Sequence, residues 1–487
     1  MTQFLSVLAV ILVFLGTASA QIPGIPGSGI MGSSQSGQTP AISAPAMGAG
    51  SAQNPLLGGI PTGELSKEVL QLSLTEALKR GLKYNLGAIL SEQSVHATTG
   101  ARLVALSRLL PQVSVGLDER QDQVNLAALG FEPSPGMPTV IGPFNVFDVR
   151  AYVNQTILDF TTLNHYRASG ENIKAAQHDN QNTKDMVVFV CANLYLQAAA
   201  SSSRIDAARA QVRTAQVLYD LAVDQKAAGV SPGIEALRAQ VELQSQQQRL
   251  IVVEAQFAKD KLALARAIGL PLGQEFRLTD VMSYTPLPSM PLDETVQRAY
   301  KQRPDFQSAQ AKVQSAAAER KAAGSGRLPT LNLVADYGDI GQRPWESHGT
   351  FTLTTSLRIP LFQGGKVRGQ IFEADAALQQ RKAELEDLRG RIYYDVRNAF
   401  LDLKAAADRV QVAQSAVKLA DEQVLQSEDR FRAGVTNNVE VVQAQQAQAT
   451  ANENLISSLQ SHSAARLALA RAMGIPGTEY DQFLRGQ

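Results

Sequence analysis

Phe351–Ile359 reads FTLTTSLRI, and its alternation decides the fold. Successive side chains of an extended strand point to opposite faces. Phe351, Leu353, Thr355, Leu357 and Ile359 therefore share one side, and Thr352, Thr354, Ser356 and Arg358 share the other. Just upstream, Leu331, Leu333, Ala335 and Tyr337 alternate with Thr330, Asn332 and Asp336. The pattern has an earlier copy. Val113, Val115 and Leu117 alternate with Ser114 and Gly116, and Phe147, Val149, Ala151 and Val153 with Asp148, Arg150, Tyr152 and Asn154. Each run is about ten residues, the length of a membrane-crossing strand. The same alternation would also suit two hairpins on a soluble core, one face buried and one wet.

Outward from the strands the period changes from 2 to 3.6. A helix is expected from Leu72 (LSLTEALKRGLKYN) and another from Pro291 (PLDETVQRAYKQRPD), with Ser73 and Asp293 as N-caps. Each is expected to run to a proline, Pro111 in RLLPQVSVG or Pro329 in GRLPTLNLV. Beyond the strands, Glu171–Ala228 and Arg391–Ala433 contain neither Gly nor Pro and read as long helices. Ile205, Ala208, Val212, Ala215, Tyr219 and Ala222 keep a heptad, and Val410, Ala413, Val417, Ala420 and Val424 keep it again. After short breaks at Gly229–Gly233 and Gly434–Asn438, return helices span Ile234–Ile268 and Val439–Met473. They stop at Gly269-Leu270-Pro271 and Gly474-Ile475-Pro476.

These parallels form a repeat. LALARAIGLP (Leu262–Pro271) answers LALARAMGIP (Leu467–Pro476), and AGVSPGIEALRAQ (Ala228–Gln240) answers AGVTNNVEVVQAQ (Ala433–Gln445), both at an offset of 205. Pro111 and Pro329 are offset by 218, so the first half carries thirteen extra residues. The Gly/Pro-rich stretch Gln121–Asn145 accommodates them as an expected loop. A duplicated unit of this length points to architecture before chemistry. The expected organisation is a signal peptide at 1–20, a disordered Gly/Ser/Pro-rich leader at 21–63, and a first repeat at 64–271 with a hairpin at about 111–158. A linker at 272–290 follows, then a second repeat at 291–476 with a hairpin at about 329–361, and a tail at 477–487. The signal reading rests on apolar Phe4–Leu15 and the A-x-A site Ala18-Ser19-Ala20, although no Lys or Arg precedes them.

Composition removes several function classes. Lys+Arg and Asp+Glu both number 45, so the basic excess of a nucleic-acid binder is missing. The single cysteine, Cys191, excludes an internal disulfide and lies in the apolar run MVVFVCANLYL, where it is expected to be a small buried residue. The five histidines make no HExxH spacing. No phosphate loop or nucleophile elbow is present. The expectation is therefore no enzyme, no cofactor, no metal site and no nucleic-acid partner. Four strands cannot close a membrane barrel, and a bilayer tolerates no open sheet edge. If the strands meet lipid, several copies must share one barrel.

The element order is signal, helix, hairpin, long helix, an AGV tip followed by EALRAQ or EVVQAQ, return helix and LALARAxGxP, all doubled. Together with IPLFQGG (Ile359–Gly365), it resembles the TolC-type outer-membrane efflux proteins across Leu72–Pro476. The first half departs from the pattern, with QTILDFTT (Gln155–Thr162) where IPLFQGG stands in the second. The resemblance implies a mainly α fold with a transmembrane β-barrel sector. Long antiparallel coiled-coil helices would form an α-barrel, and four strands per protomer would enter a homotrimeric twelve-strand barrel. It implies an outer-membrane location with a periplasmic extension. It also implies a passive exit duct of a tripartite efflux or type I secretion system, docked to a periplasmic adaptor (membrane fusion) protein and an inner-membrane pump or ABC transporter. Carried over residue by residue, the adaptor-contact tips are Gly229, Val230, Ser231, Gly434, Val435 and Thr436. An acidic entrance ring falls on Glu440. A second acidic position is Gln443, and a cationic latch position is Thr436, both departures. Glu235 is the first-half counterpart of Glu440. The competing readings are a periplasmic adaptor, a structural coiled-coil protein of the envelope, and an exported enzyme.

Overall fold

The computed structural model describes residues 54–63, 65–130, 138–271, 273–280, 283–286, 291–433, 435–436, 438–475, 477 and 480, all within the unit Gly50–Gln487. The expected signal, residues 21–53 of the leader, residues 272, 281, 282 and 287–290 of the linker and most of the tail lie outside the described residues. Leader residues 54–63, expected to be disordered, instead form a 3-10 turn at Pro55–Leu57 and a bridge from Gly59 to Asn85, because the buried Asn85 side chain holds Leu56 O.

A short strand, β1 (Leu70–Leu72), leads into α1 (Leu74–Tyr84), and α2 (Leu86–Ser107) follows at once. Ser73 caps α1 as expected, its hydroxyl accepting from Glu76 N at 3.3 Å. The expected single helix up to Pro111 is instead broken at Asn85, whose backbone is extended (ψ 134°). The Asn85 side chain is fully buried. It accepts from Gly87 N at 2.9 Å and donates to Leu56 O at 2.8 Å and Ala267 O at 3.0 Å. Three satisfied bonds make the break more favourable than a continuous turn. The corresponding break in the second half is Arg303, where Pro304 excludes the helical region for the residue before it. Both helices stop four residues short of their prolines, at Ser107 and Ser325.

The four long strands form one antiparallel sheet. β2 (Gln112–Asn125) pairs with β3 (Val140–Leu158). Its second hairpin, β5 (Thr330–Gly341) with β6 (His348–Arg358), joins through β3–β5 pairing, giving the order β2-β3-β5-β6. Between them, β4 (Phe276–Leu278) pairs in parallel with β1, an element the linker reading lacked. β2 and β3 span 14 and 19 residues against 12 and 11 for β5 and β6. The extra residues of the first half thus mainly lengthen a hairpin rather than make a loop. Pairing continues to Asn125↔Val140 past a bulge at Asp122/Val124.

After β3, α3 (Phe160–Ala227, 68 residues) and its return helix α4 (Gly233–Ala267, 35 residues) form the first helical hairpin. α5 (Leu292–Gln302) and α6 (Pro304–Ser325) precede β5. Pro291, not Asp293, holds the N-cap of α5; Asp293 sits in the first turn, where the helix dipole favours it. α7 (Lys366–Arg432, 67 residues) and α8 (Asn438–Ala472, 35 residues) close the second half. At 1.5 Å per residue α3 and α7 are each about 100 Å long. They start earlier than expected, and Gly170, Gly369 and Gly390 lie inside them. One glycine costs a helix interior about 1 kcal/mol, little against a helix of this length. Asp159 starts α3 by accepting from Thr161 N at 2.8 Å and Thr162 N at 3.3 Å.

The heptad positions Ile205, Ala208, Ala215, Ala222, Val410, Ala413, Ala420 and Val424 are buried, with Val212, Tyr219 and Val417 half-buried. At one level the helices pack in the order α4-α3-α8-α7, and nearer the sheet in the order α2-α3-α6-α7. Between these levels lies the main core, where β1, β4, α1 and α5 surround the middle of α3 and α7. Tyr195 is fully buried there and donates to Asp280 Oδ2 at 2.8 Å, which also accepts from Leu74 N at 2.7 Å. Cys191 is buried as expected, and burial pushes its thiol up to about 12. α3 also holds an 18-residue window of mean hydropathy 1.3, more than half of it inside the core.

Candidate functional site

Register converts the four alternating runs into one surface. Val113, Val115 and Leu117 stand opposite Val153, Ala151 and Val149. Ala151 and Val153 stand opposite Tyr337 and Ala335, which stand opposite Phe351 and Leu353. One face therefore carries the apolar set of all four strands, and its residues on β2 and β6 are open: Val115, Leu117, Phe351 and Leu353 are each at least 66% exposed. A one-residue slip would invert the pattern. The other face is mostly polar, with Ser114, Asp118, Asp148, Arg150, Asp336, Thr350, Thr352 and Thr354 beside Tyr152, Val334 and Ile340. Arg150 gathers three strands there. It donates through Nη1 to Asp336, through Nη2 to Thr350 Oγ1 at 3.0 Å and through Nε to Asp148 Oδ1 at 3.3 Å. Gly338 lies opposite Arg150, and a Cβ there would collide with Val149 O. β2 and β6 are the unpaired edges of the sheet.

At the far ends of the long helices, each hairpin turns where the AGV phrases stand. Gly229 takes φ +73°, a left-handed conformation that favours glycine. Val230 N donates to Gln225 O at 2.9 Å, while its side chain is 76% exposed; Ser231 is half-buried. In the second turn Val435 N donates to Arg430 O at 3.0 Å and Val435 is 70% exposed. Gly434 lies outside the described residues.

The acidic positions differ between halves. Glu440, in the first turn of α8, is half-buried. Thr436 Oγ1 donates to its Oε2, and Arg430 Nε lies 3.4 Å from its Oε1. The second-half tip thus does contain a cation beside the acidic position, contributed by α7 rather than by residue 436. Glu235 is buried, bonded to Arg238 Nη1 at 2.9 Å, and its Oε2 has no hydrogen-bond partner. Gln443 is exposed and borders a groove of about 360 Å³ between α4 and α8, walled by Ile234, Leu237, Val241, Val439 and Val442. Glu235 and Glu440 therefore occupy unlike surroundings. Sequence reasoning missed the Arg150 cluster and the Arg430–Glu440 pair. The latter could have been found by folding the AGV turn as a hairpin, which brings position 430 against 440. Among the described residues no grouping of His, Cys, Asp and Glu could hold a metal ion.

The chain matches the family model "Outer membrane efflux protein" over residues 91–270 and 295–475. It is 26% identical over 387 residues to the pyoverdine export outer membrane protein OpmQ of Pseudomonas putida, covering 76% of this chain and 79% of the relative. It is 22% identical over 324 residues to the antibiotic efflux pump outer membrane protein ArpC of Pseudomonas putida, covering 64% and 65%. Among solved structures, the outer membrane protein VceC of Vibrio cholerae superposes with TM-score 0.71 at 16% identity, covering 82% of this chain and 96% of that one. The CmeC outer membrane channel of Campylobacter jejuni gives 0.72 at 16%, covering 89% and 94%. With both halves matched and the fold shared with such channels, this chain belongs to the outer membrane efflux protein family.

Proposed function

We propose that this protein is the outer-membrane exit duct of an export machine and works as a homotrimer. The observation that carries this reading is the in-register apolar face of a sheet with two unpaired edges. Unpaired backbone in hydrocarbon costs several kcal/mol per group, so β6 of one copy pairs with β2 of the next. Three copies give twelve strands, with the Arg150 face towards a wet lumen. The helices repeat the logic. α7 is an edge at both levels, and it exposes Tyr394, Leu401, Val412 and Leu419; the opposite edge, α4, exposes Val241, Ile251 and Leu262. Two apolar edges of unlike sequence suit a heterologous, ring-closing contact.

The chain enters the envelope through a signal peptide at 1–20, followed by a leader to 63, and its halves 64–271 and 291–476 derive from one duplicated unit. The tips carrying Gly229, Val230, Ser231, Gly434, Val435 and Thr436 receive a periplasmic adaptor, which links the duct to an inner-membrane pump or ABC transporter. Asp at Val230 and Val435 should abolish adaptor capture while leaving conductance intact. Small molecules are the cargo class favoured in this reading, supported by the names of relatives in pyoverdine export and antibiotic efflux, with protein secretion, named for a relative matched over 126 residues, as the second. Glu440 is the entrance acid, Gln443 and Glu235 being uncharged or buried at their positions. Planar-bilayer recording tests the duct and its gate together. Stepwise conductance is expected, with cation preference raised in Arg430→Ala, which unmasks Glu440, and lowered in Glu440→Gln. Absence of conducting steps would overturn the duct reading. Unchanged selectivity in both variants would overturn the gate.

A further inference from the structure

We infer that the loop joining β6 to α7 is a docking surface for the phosphate of an anionic glycerophospholipid in the periplasmic leaflet of the outer membrane. The loop is Ile359-Pro360-Leu361-Phe362-Gln363, directly after the apolar strand face. Leu361 is 93% exposed and Phe362 89%, the two most open large apolar side chains among the described residues. They border a pocket with Arg327, Pro360, Arg368 and Ile371. Arg327 Nε donates only to Gly324 O, at 3.3 Å, and Arg368 lies over the Phe372 ring at 5.4 Å. Neither arginine has a carboxylate partner among the described residues. An apolar ridge beside unpaired guanidinium groups fits a lipid: acyl chain against Leu361 and Phe362, phosphate between the arginines.

Charge distinguishes this occupant from a second copy of the chain. Residues 321–335 and 347–372, which build this level, contain no Asp or Glu; Arg320, just outside it, is already paired with Asp375 at 2.6 Å. The neighbouring copy would approach α7 with its opposite edge at this level, α2 and the start of β2. That edge, residues 101–117, also contains no Asp or Glu and brings Arg102 and Arg108. The three segments together hold seven Lys or Arg and no acid. A second copy therefore adds cations where anions are wanted. The surface is continuous with the apolar sheet face, and the inference rests on the reading that this face meets lipid.

Brominated-lipid quenching tests it on the full-length protein in vesicles. The one native tryptophan, Trp345, is replaced by Phe, and tryptophan is placed at Phe362 or, separately, at Leu353 in the sheet. Vesicles of phosphatidylcholine carry a small fraction of brominated phosphatidylglycerol or of brominated phosphatidylcholine. The F362W signal should be quenched far more by the phosphatidylglycerol. The preference should fall about 5-fold on losing one arginine and about 25-fold in the Arg327→Gln/Arg368→Gln variant, with Lys at both positions retaining most of it. Quenching at L353W without quenching at F362W would mean that a second copy covers the loop, overturning the inference while leaving the membrane reading intact. No quenching at either site would overturn both. Equal quenching by the two lipids, or a preference unmoved by Arg→Gln, would overturn the headgroup site. Relief of quenching by inorganic phosphate at constant ionic strength would mark a free-phosphate site and also overturn it.

Discussion

Arginine at Leu353 separates a lipid-facing sheet from a soluble one. Leu353 is the midpoint of the 11-residue β6, five residues from His348 and five from Arg358. Eleven residues at about 3.3 Å each, tilted about 40°, rise roughly 28 Å, close to the ~25 Å apolar band of an outer-membrane barrel. Leu353 therefore sits near the bilayer midplane, 66% exposed in the single chain. An arginine on the lipid face at that depth costs about 2–4 kcal/mol per copy, a factor of roughly 30 to 900 in folded over unfolded protein. Thr352 is its control. It points to the opposite face, across from Asp336, which Arg150 already holds, so arginine there avoids lipid and should cost far less than at 353. Urea titration of protein folded into phosphatidylcholine vesicles, read by gel mobility, gives both values. Equal effects at 352 and 353, or a larger one at 352, would refute the assignment of faces.

Two further predictions concern the helical body. A methyl group at Gly81 would sit 2.7 Å from Cys191 Sγ, so Gly81→Ala should destabilise by about 1–3 kcal/mol through overpacking. In a Cys191→Ala background the same change should become neutral or gain up to about 1 kcal/mol of helix propensity, as read by thermal melting. His462 is buried against Tyr284, with ring centroids 4.9 Å apart, and burial, aided by the Arg466 charge, holds it below its ordinary 6.5. Below pH 6.5 the unfolded imidazole takes a proton that the folded one resists. Its contribution is therefore present above that value and is lost as pH falls through it. Melting temperature should drop between pH 6.5 and 5, and His462→Phe should flatten the drop; an unchanged slope would contradict this.

What the sequence reveals follows from how far each signal reaches. The strands, their faces and the ends of the return helices were legible because period 2, period 3.6 and Gly-x-Pro stops are local. α4 and α8 lie within one residue of expectation. The cap expected at Asp293 stands two residues earlier, at Pro291. The break at Asn85 has no local signal, since its side chain is satisfied by Leu56 and Ala267 far along the chain. Yet position 85 plus the repeat offset of 218 is Arg303, and Pro304 marks that break openly. The glycines at 170 and 390 misled in the other direction: helix starts were set by Asp159 and Gly365 instead. β1 and β4 are three residues each and pair across about two hundred, below what periodicity resolves. At the tips, the turn glycine was readable from AGV, whereas the Glu440 partner, Arg430, depends on the hairpin closing.

Particle mass in detergent tests the account most directly. Light scattering with the detergent contribution subtracted should give a protein mass near three times that of one mature chain, the full chain being 52.3 kDa. The particle should aggregate when detergent is removed. A monodisperse single chain that stays soluble without detergent would contradict a shared barrel and the duct built on it.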